Sequence, residues 1–334
     1  MLRFKSLIAL LSFLMVPAVL YCQETTCNKI IHNHTTYNLY PETFSELPDI
    51  PSPMTTNNGM EIVLCFTLDN KYCLIPVTHE NGTPLDYKNN KWYGKGRQLD
   101  VDSTDFPTLA RTGLHSEKEL NETKTITGKS ISEITKIGRP EAYSRAGFMS
   151  YDEDIISVLK GDNNLVTLLG STHCQIAKPL FHVFNVILTV KKDSKRGNVK
   201  GIIYNQKKIY LEFRGSKGWQ ESIFNDEILG YWHIELSREL DQEEKSFLSG
   251  NYSHLTETKM DELITKLSYI HTGEMVPYYI MRYGFYEGHT SYRADPVAIS
   301  FIFSLQSLQE IERAFEGNLS DNLTNHFYDE SIRK

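Results

Sequence analysis

This chain has too few basic residues for nucleic acid or an anionic membrane surface to be its main partner. Its 334 residues include 35 lysines and arginines against 42 aspartates and glutamates, which gives a formal net charge of −7. Both polyanions bind proteins through clustered lysine and arginine. The only dense basic run, Lys191 to Lys200, lies between apolar segments and is predicted to be a solvated hairpin tip. We therefore expect no nucleic-acid partner.

Long apolar runs are also missing, except at the N-terminus. There Arg3 and Lys5 precede an apolar run from Leu7 to Tyr21, and polar residues follow from Gln23 onward. This order is typical of a secretory signal, and the run is shorter than the roughly 18 to 20 residues that cross a bilayer. The sequence therefore predicts an exported protein, periplasmic, extracellular or surface-exposed, with no integral membrane span after signal removal.

The predicted cleavage site lies between Cys22 and Gln23, which makes residues 1–22 the signal peptide. Lipid attachment at Cys22 is the alternative, but the residue before a lipid-bearing cysteine is usually small and here it is Tyr21. Cleavage after Ala18 is a further alternative. Removal of the signal takes away Arg3 and Lys5 and so shifts the formal charge from −7 to −9.

Cysteine is scarce, with five residues in the whole chain. Without Cys22, the remaining four are Cys27, Cys65, Cys73 and Cys174, an even number in a compartment that permits disulfides. Cys65 and Cys73 flank the turn signal Asp69-Asn70 between two apolar runs, so a bridge across a hairpin is predicted. Buried free thiols are the alternative.

Motifs that identify a catalytic class are absent from the sequence. It contains no Gly-x-Ser-x-Gly turn, which argues against the usual α/β-hydrolase nucleophile. Gly128-Lys129-Ser130 looks like the end of a phosphate-binding loop, but Thr123 occupies the position where that loop requires glycine. Function therefore has to be argued from residue clusters.

The predicted fold class is α+β, with a small antiparallel sheet packed against a mainly helical C-terminal half and a loop-rich N-terminal region. The predicted divisions are a signal peptide at 1–22, a loop-rich region with a β-hairpin at 23–125, and an α+β core domain at 126–334. Hydrophobic periodicity and turn residues predict the strands, and periodicity with helix caps predicts the helices. These are 61–77 as a hairpin, 184–190, 199–204 and 209–213. The predicted helices are 150–161, 172–184, 234–248, 257–270, 295–303 and 307–317. Asp295 is the predicted cap of the fifth helix, and Ser307 with Glu310 is the predicted capping box of the last.

The segment from Tyr269 to Asp295 is the first candidate site, because it interleaves glycine with aromatic and titratable side chains, as pocket walls do. The predicted catalytic residues are His271, Glu274, Glu287 and His289. The predicted substrate-binding residues in this segment are Tyr278, Arg282, Tyr286 and Arg293. His271 and Glu274 are three residues apart, which would place them on one face of a helix.

Three kinds of chemistry and one structural role compete for this segment. A metal site could use both histidines with Glu274 or Glu287, although the spacing matches no diagnostic motif and the metal content stays unassigned. An acid/base pair of histidine and carboxylate is the second hypothesis, and anion binding by Arg282 and Arg293 is the third. Ordinary packing of tyrosines and ion pairs is the better explanation for any single residue, whereas the cluster as a whole favours a site.

The second candidate segment runs from Trp219 to His233 and holds two of the three tryptophans in the chain. Trp219 and Glu221 are its predicted substrate-binding residues, because sugar sites combine aromatic faces with carboxylates. An aromatic core between sheet and helices is the alternative.

These patterns favour an exported hydrolase that acts on an extracytoplasmic substrate through a His/carboxylate/Arg pocket around residues 269–295. The expected ligand is a small molecule or a polysaccharide, and no cofactor or oligomeric state is assigned. The alternative is a non-catalytic ligand-binding or surface-interaction protein that uses the same aromatic and arginine-rich pocket. The three-dimensional proximity of the two candidate segments decides whether a common site exists.

Overall fold

A computed structural model describes residues 29–80, 128–192, 199–224 and 229–326 of the chain. These ranges do not include the predicted signal peptide with Cys22, nor Cys27. The predicted boundary between residues 125 and 126 also lies outside them. The strands are β1 Lys29–His32, β2 Thr35–Asn38, β3 Met54–Thr55, β4 Glu61–Thr67, β5 Tyr72–Pro76, β6 Val199–Tyr204, β7 Lys207–Glu221, β8 Leu229–Ser237 and β9 Tyr269–Gly273. The helices are α1 Ile131–Gly138, α2 Ile155–Leu168, α3 His173–Lys192, α4 Gln242–Asn251, α5 Glu257–Ser268, α6 Val276–Tyr283, α7 Pro296–Ile302, α8 Leu308–Ala314 and α9 Leu319–His326.

Two antiparallel sheets and these helices confirm the predicted α+β class. Strands β1 and β2 form a two-stranded sheet, and the other seven form one sheet in the order β3-β4-β6-β7-β8-β9, with β5 also paired to β4. Within the described ranges, no helix is both long enough and apolar enough to cross a membrane.

The predicted hairpin at residues 61–77 is confirmed as β4 and β5, with Asn70 at a φ of 57° in its turn. Asparagine tolerates this left-handed conformation better than most residues. The register places Cys65 directly opposite Cys73, and both are buried. Burial and the neighbouring Cys73 raise the pKa of the Cys65 thiol, and the bridge between them stays a prediction.

Strand β4 joins the two regions of the chain into one sheet, because it pairs with β6 as well as with β5. Its side chains alternate between two apolar cores, as the pleat of a strand requires. Val63 and Cys65 face the core beneath the helices, whereas Leu64 and Phe66 pack with Ile30 and other residues of the first 50 positions. This sheet is therefore covered on both faces at β4.

Several predicted elements are wrong in type or length. Residues 184–190 form the second half of α3 instead of a strand, and α3 passes through Pro179. Since α3 ends at Lys192, the basic run begins inside a helix and does not join two strands as a hairpin tip would. The predicted helix at 234–248 begins as strand β8 and becomes helical only at α4. The predicted helix at 150–161 starts after the N-cap Asp154 and continues through Gly161.

The predicted caps of two helices near the C-terminus are confirmed. Asp295 caps α7 by accepting from the Val297 backbone, with Pro296 as the first helical residue. Ser307 and Glu310 form the predicted capping box of α8. Helix α5 ends at Ser268, two residues before its predicted end, and the chain continues directly into β9.

Candidate functional site

The sheet brings the two candidate segments together. Strand β8 pairs with β7 on one side and with β9 on the other, so that Trp232 lies opposite Gly215 and His233 opposite Gly273. The end of β9 leads into the loop and helix that carry the rest of the 269–295 segment. One cleft and one smaller pocket lie where these elements meet.

The larger of the two, which we call the aromatic cleft, has a volume of about 240 Å³. It contains three of the predicted site residues, Trp219, Glu274 and Glu287, and it draws on both segments. Its full lining is Tyr143, Ser144, Ser216, Gly218, Trp219, Gln220, Gly230, Tyr231, Trp232, His233, Gly273, Glu274, Met275, Glu287 and Tyr292. Aromatic surface with a few polar groups is the usual composition of a ligand site.

The aromatic wall of the cleft comes from β7 and β8. Trp232 packs edge to face against Tyr231 at 5.1 Å and lies 5.8 Å from Phe213, centroid to centroid. Gly215 leaves room for the Tyr231 ring, because a Cβ atom there would lie 2.7 Å from Tyr231 Cε1. The glycine at position 215 of β7 therefore allows the Tyr231 ring to pack in this position.

Glu274 is fixed at the end of β9 by the backbone of β8. Its Oε2 accepts hydrogen bonds from the backbone N–H groups of Tyr231, at 2.8 Å, and Trp232, at 3.3 Å. Its own N–H donates to the Trp232 carbonyl at 3.0 Å. Hydrogen bonds donated to a carboxylate favour its charged form. These hydrogen bonds hold the Glu274 carboxyl group in a fixed position in the cleft.

Glu287 is the second carboxyl group of the cleft, and it has a different environment. Its side chain is buried, with 5 % of the residue exposed, and accepts a hydrogen bond of 3.0 Å from the Thr290 hydroxyl. Burial raises the pKa of Glu287 to about 8, so the carboxyl group is protonated at neutral pH. The residue also has a φ of 65°, a conformation that is uncommon outside glycine and clusters at functional sites.

Arg293 holds the loop that carries Glu287. Its Nη1 donates to the Glu287 carbonyl at 2.6 Å and its Nη2 to Asp162 at 2.6 Å, while Nε lies 3.4 Å from an oxygen of Asp295. Burial raises the pKa of Asp162 to about 6, against the opposing effect of the Arg293 guanidinium. With two carboxylates beside it, Arg293 stabilises the fold of the loop and lies outside the lining of the aromatic cleft.

The second pocket, which we call the histidine pocket, has a volume of about 170 Å³ and contains His271 and His289. His289 Nδ1 hydrogen-bonds to Glu153, whose other oxygen accepts from the His289 backbone at 2.9 Å. Burial alone would raise the pKa of Glu153, but the hydrogen bonds from His289 and Ser150 bring it down to about 2. Burial lowers the pKa of His271.

The four predicted catalytic residues are thus divided between two pockets. Glu274 and Glu287 line the aromatic cleft, and His271 and His289 line the histidine pocket. Tyr292 lies between the two, with its ring 5.2 Å from that of His233 and 4.5 Å from that of His271.

Arg293 also lines the histidine pocket, whereas the other four predicted residues lie outside both pockets. Tyr278, Arg282 and Tyr286 are buried in the core, where Tyr286 hydrogen-bonds to His173 at 2.9 Å. Glu221 is exposed at the end of β7. Among the described residues, no group of three or more His, Cys, Asp or Glu side chains is placed to hold a metal ion.

Sequence reasoning missed several residues that build these sites. Glu153 and Asp162 are not among the predicted site residues, yet they contact His289 and Arg293 at separations of 136 and 131 residues. Tyr231 and His233 lie in the second segment, so its aromatic composition was the available signal.

Comparisons with protein-family models, with curated proteins and with solved structures gave no match to this chain. The function is therefore inferred from the site itself.

Proposed function

We propose that the protein is a hydrolase that cleaves a glycosidic bond in the aromatic cleft, with Glu287 as the general acid and Glu274 as its ionised partner. The observation that supports this most strongly is Glu287, a buried carboxyl group held at positive φ in the wall of the cleft. Burial, an uncommon backbone conformation and a position in an aromatic cleft coincide in this one residue.

Two carboxyl groups with different charge states are what glycoside hydrolysis requires. The protonated Glu287 would give its proton to the oxygen of the leaving group as the bond to the anomeric carbon breaks. Glu274 would either attack that carbon or remove a proton from the attacking water. Water supplies the hydroxyl group of the new reducing end in both cases, and the anomer of the product distinguishes them.

The histidines have a smaller part in this proposal than the sequence predicted. His271 and His289 line the other pocket, and the Nδ1 of His289 is engaged by Glu153. Arg293 is likewise engaged by Asp162. The proposal therefore replaces the predicted histidine acid/base group with a carboxyl pair.

The test is hydrolysis of soluble polysaccharides, measured as reducing ends released by the purified protein. We expect Glu287→Gln and Glu274→Gln each to lower the rate by about 100-fold or more, because general acid catalysis contributes at least that much. Glu221→Gln is the matched control, since Glu221 is an exposed carboxylate on β7 that does not line the cleft. For the unmutated protein, kcat/KM should fall as the pH rises through about 8, where Glu287 loses its proton.

The proposal is wrong if the unmutated protein releases no reducing ends from any polysaccharide tested, or if Glu287→Gln retains the full rate. A non-catalytic carbohydrate-binding protein is the second candidate, favoured by Trp219, of which 70 % is exposed. Binding without turnover would support that candidate.

A further inference from the structure

The hydroxyl group of Thr290 is placed to hold the Glu287 carboxyl group from outside the cleft. We propose that Thr290 is a positioning residue for this acid: its hydroxyl holds one oxygen of Glu287, so that the other oxygen presents its proton to the aromatic cleft. The transfer of that proton rests on the proposed function, whereas the contact itself is tested by titration. Thr290 lines the histidine pocket and Glu287 the aromatic cleft, so a substrate in the cleft meets the acid and not the threonine.

The loop from Glu287 to Arg293 fixes the backbone that carries both side chains. The Thr290 N–H donates to the Gly288 carbonyl at 2.7 Å, and the Thr290 carbonyl accepts from the Arg293 N–H at 3.3 Å. The Arg293 guanidinium closes the loop by donating to the Glu287 carbonyl at 2.6 Å. Outside the loop, the Gly288 N–H donates to the Phe148 carbonyl at 2.7 Å. The backbone therefore holds the threonine beside the glutamate before any substrate binds.

The direction of the hydrogen bond decides which oxygen of Glu287 carries the proton. The Thr290 hydroxyl oxygen accepts from the Tyr292 N–H at 3.3 Å, and its own proton is donated to Glu287 Oε2 at 3.0 Å. In a protonated carboxyl group, the oxygen without the proton is the better acceptor, so the proton lies on Oε1. Because Glu287 lines the cleft, Oε1 is the oxygen left for a substrate.

The same hydrogen bond limits how tightly Glu287 holds its proton. Burial raises the pKa of Glu287, whereas the Thr290 hydroxyl and the Arg293 guanidinium lower it, and the resulting pKa is about 8. A general acid is most effective when its pKa lies near the working pH. Without the hydroxyl donor, Glu287 would hold its proton more tightly and donate it more slowly. Thr290 therefore sets both the orientation and the strength of the acid.

Thr290→Val tests the proposal, because valine has the shape of threonine without the hydroxyl group. A ¹³C NMR titration should place the Glu287 midpoint about one pH unit or more above that of the unmutated protein. In the reducing-end assay, kcat should fall by about tenfold and KM should change by less than about twofold, because the hydroxyl acts on the acid and not on the substrate. The fall of kcat/KM at high pH should move upward with the midpoint.

Further variants separate the hydroxyl from the rest of the side chain. Thr290→Ser keeps the hydroxyl and should restore both the midpoint and kcat. Thr265→Val is the matched control and should change neither, because Thr265 also lines the histidine pocket but its hydroxyl donates to the Asp261 carbonyl at 2.8 Å. If urea unfolding shows that Thr290→Val does not fold, Thr290→Ala removes the same hydroxyl with a smaller side chain and should give the same raised midpoint.

An unchanged or lower Glu287 midpoint without the Thr290 hydroxyl would overturn the proposal, as would a Thr290→Ser protein that behaves like Thr290→Val. The titration needs no substrate, so failure of this proposal and failure of the proposed function are distinguishable. A raised midpoint in a protein that hydrolyses no polysaccharide would contradict the proposed hydrolysis and support the contact. Hydrolysis by the unmutated protein with an unchanged midpoint in Thr290→Val would contradict the role of Thr290 alone.

Discussion

Two glutamates close to Gly288, one beside it in the chain and one packed against it in the fold, show how the surroundings of a carboxyl group decide its charge. Glu287 is buried with one hydroxyl donor and has a pKa raised to about 8, whereas Glu153 is held at about 2 by His289 and Ser150. Gly288 separates Glu287 from His289 along the chain, and a Cβ atom there would collide with the Glu153 carboxylate. The close approach of these groups therefore requires glycine at position 288.

The Glu153–His289 contact has a consequence for stability in acid. Since the pKa of Glu153 is lowered in the folded protein from 4.5 to about 2, its stabilising contribution is present above about pH 4.5 and lost as the pH falls towards 2. Glu153→Gln should lower the free energy of unfolding at pH 7 by on the order of 2 kcal/mol, and the difference from the unmutated protein should shrink between pH 5 and pH 3.

Urea unfolding at several pH values measures this difference. Glu243→Gln is the control, because Glu243 is exposed on α4. A loss of stability in Glu153→Gln that stays constant from pH 7 to pH 3 would show that the charge of Glu153 does not stabilise the fold.

At the level of elements, capping and turn signals predicted more than hydrophobic runs did. The caps at Asp295 and Ser307 and the turn at Asn70 depend on local hydrogen bonds and backbone angles, and all three are confirmed. The run at 184–190 has the apolar composition of a strand, but a helix buried on several sides has the same composition. Packing against the rest of the fold therefore determines that residues 184–190 are helical.

Residues 269–273 form a strand and not a helix, which helps to explain why the predicted catalytic residues lie in two different pockets. His271 and Glu274 would share a face of a helix, but His271 lies on strand β9 and Glu274 follows the last residue of that strand, Gly273. Pairing with β8 determines this strand, and it joins residues more than 30 positions apart, such as Glu235 and His271. Local periodicity therefore put His271 and Glu274 on one face, whereas the folded chain places them in different pockets.

Two glycine substitutions test the description of the elements and should have opposite effects. A Cβ atom at Gly201, in β6, would collide with the Ile209 carbonyl and the Phe66 ring, whereas nothing lies within 4 Å of one at Gly161, inside α2. Gly201→Ala should lower the free energy of unfolding by roughly 2 to 4 kcal/mol. Gly161→Ala should raise it by about 0.5 to 1 kcal/mol, since alanine favours the helix. Denaturant unfolding measures both, and a neutral Gly201→Ala would contradict the close pairing of β6 with β7.

At the scale of the whole molecule, one sheet carries contributions from distant parts of the chain. Its strands β3 to β5 come before residue 80 and β6 to β9 after residue 198, and the cleft lies beside β7, β8 and β9. The sequence predicted both site segments, and their proximity is confirmed by the shared lining of the cleft. Contacts such as Asp162–Arg293, which hold the loop in place, arise only from the folded chain.

The central claim is that Glu287 holds a proton at neutral pH in the wall of the aromatic cleft. The most direct measurement is a pH titration of the intact protein, labelled with ¹³C at the glutamate carboxyl carbons and followed by NMR. One carboxyl signal should titrate with a midpoint near 8 and should be missing from the Glu287→Gln spectrum. If instead the signal that disappears in Glu287→Gln titrates near pH 4, the ordinary value for glutamate, Glu287 is ionised at neutral pH and does not serve as the proton donor.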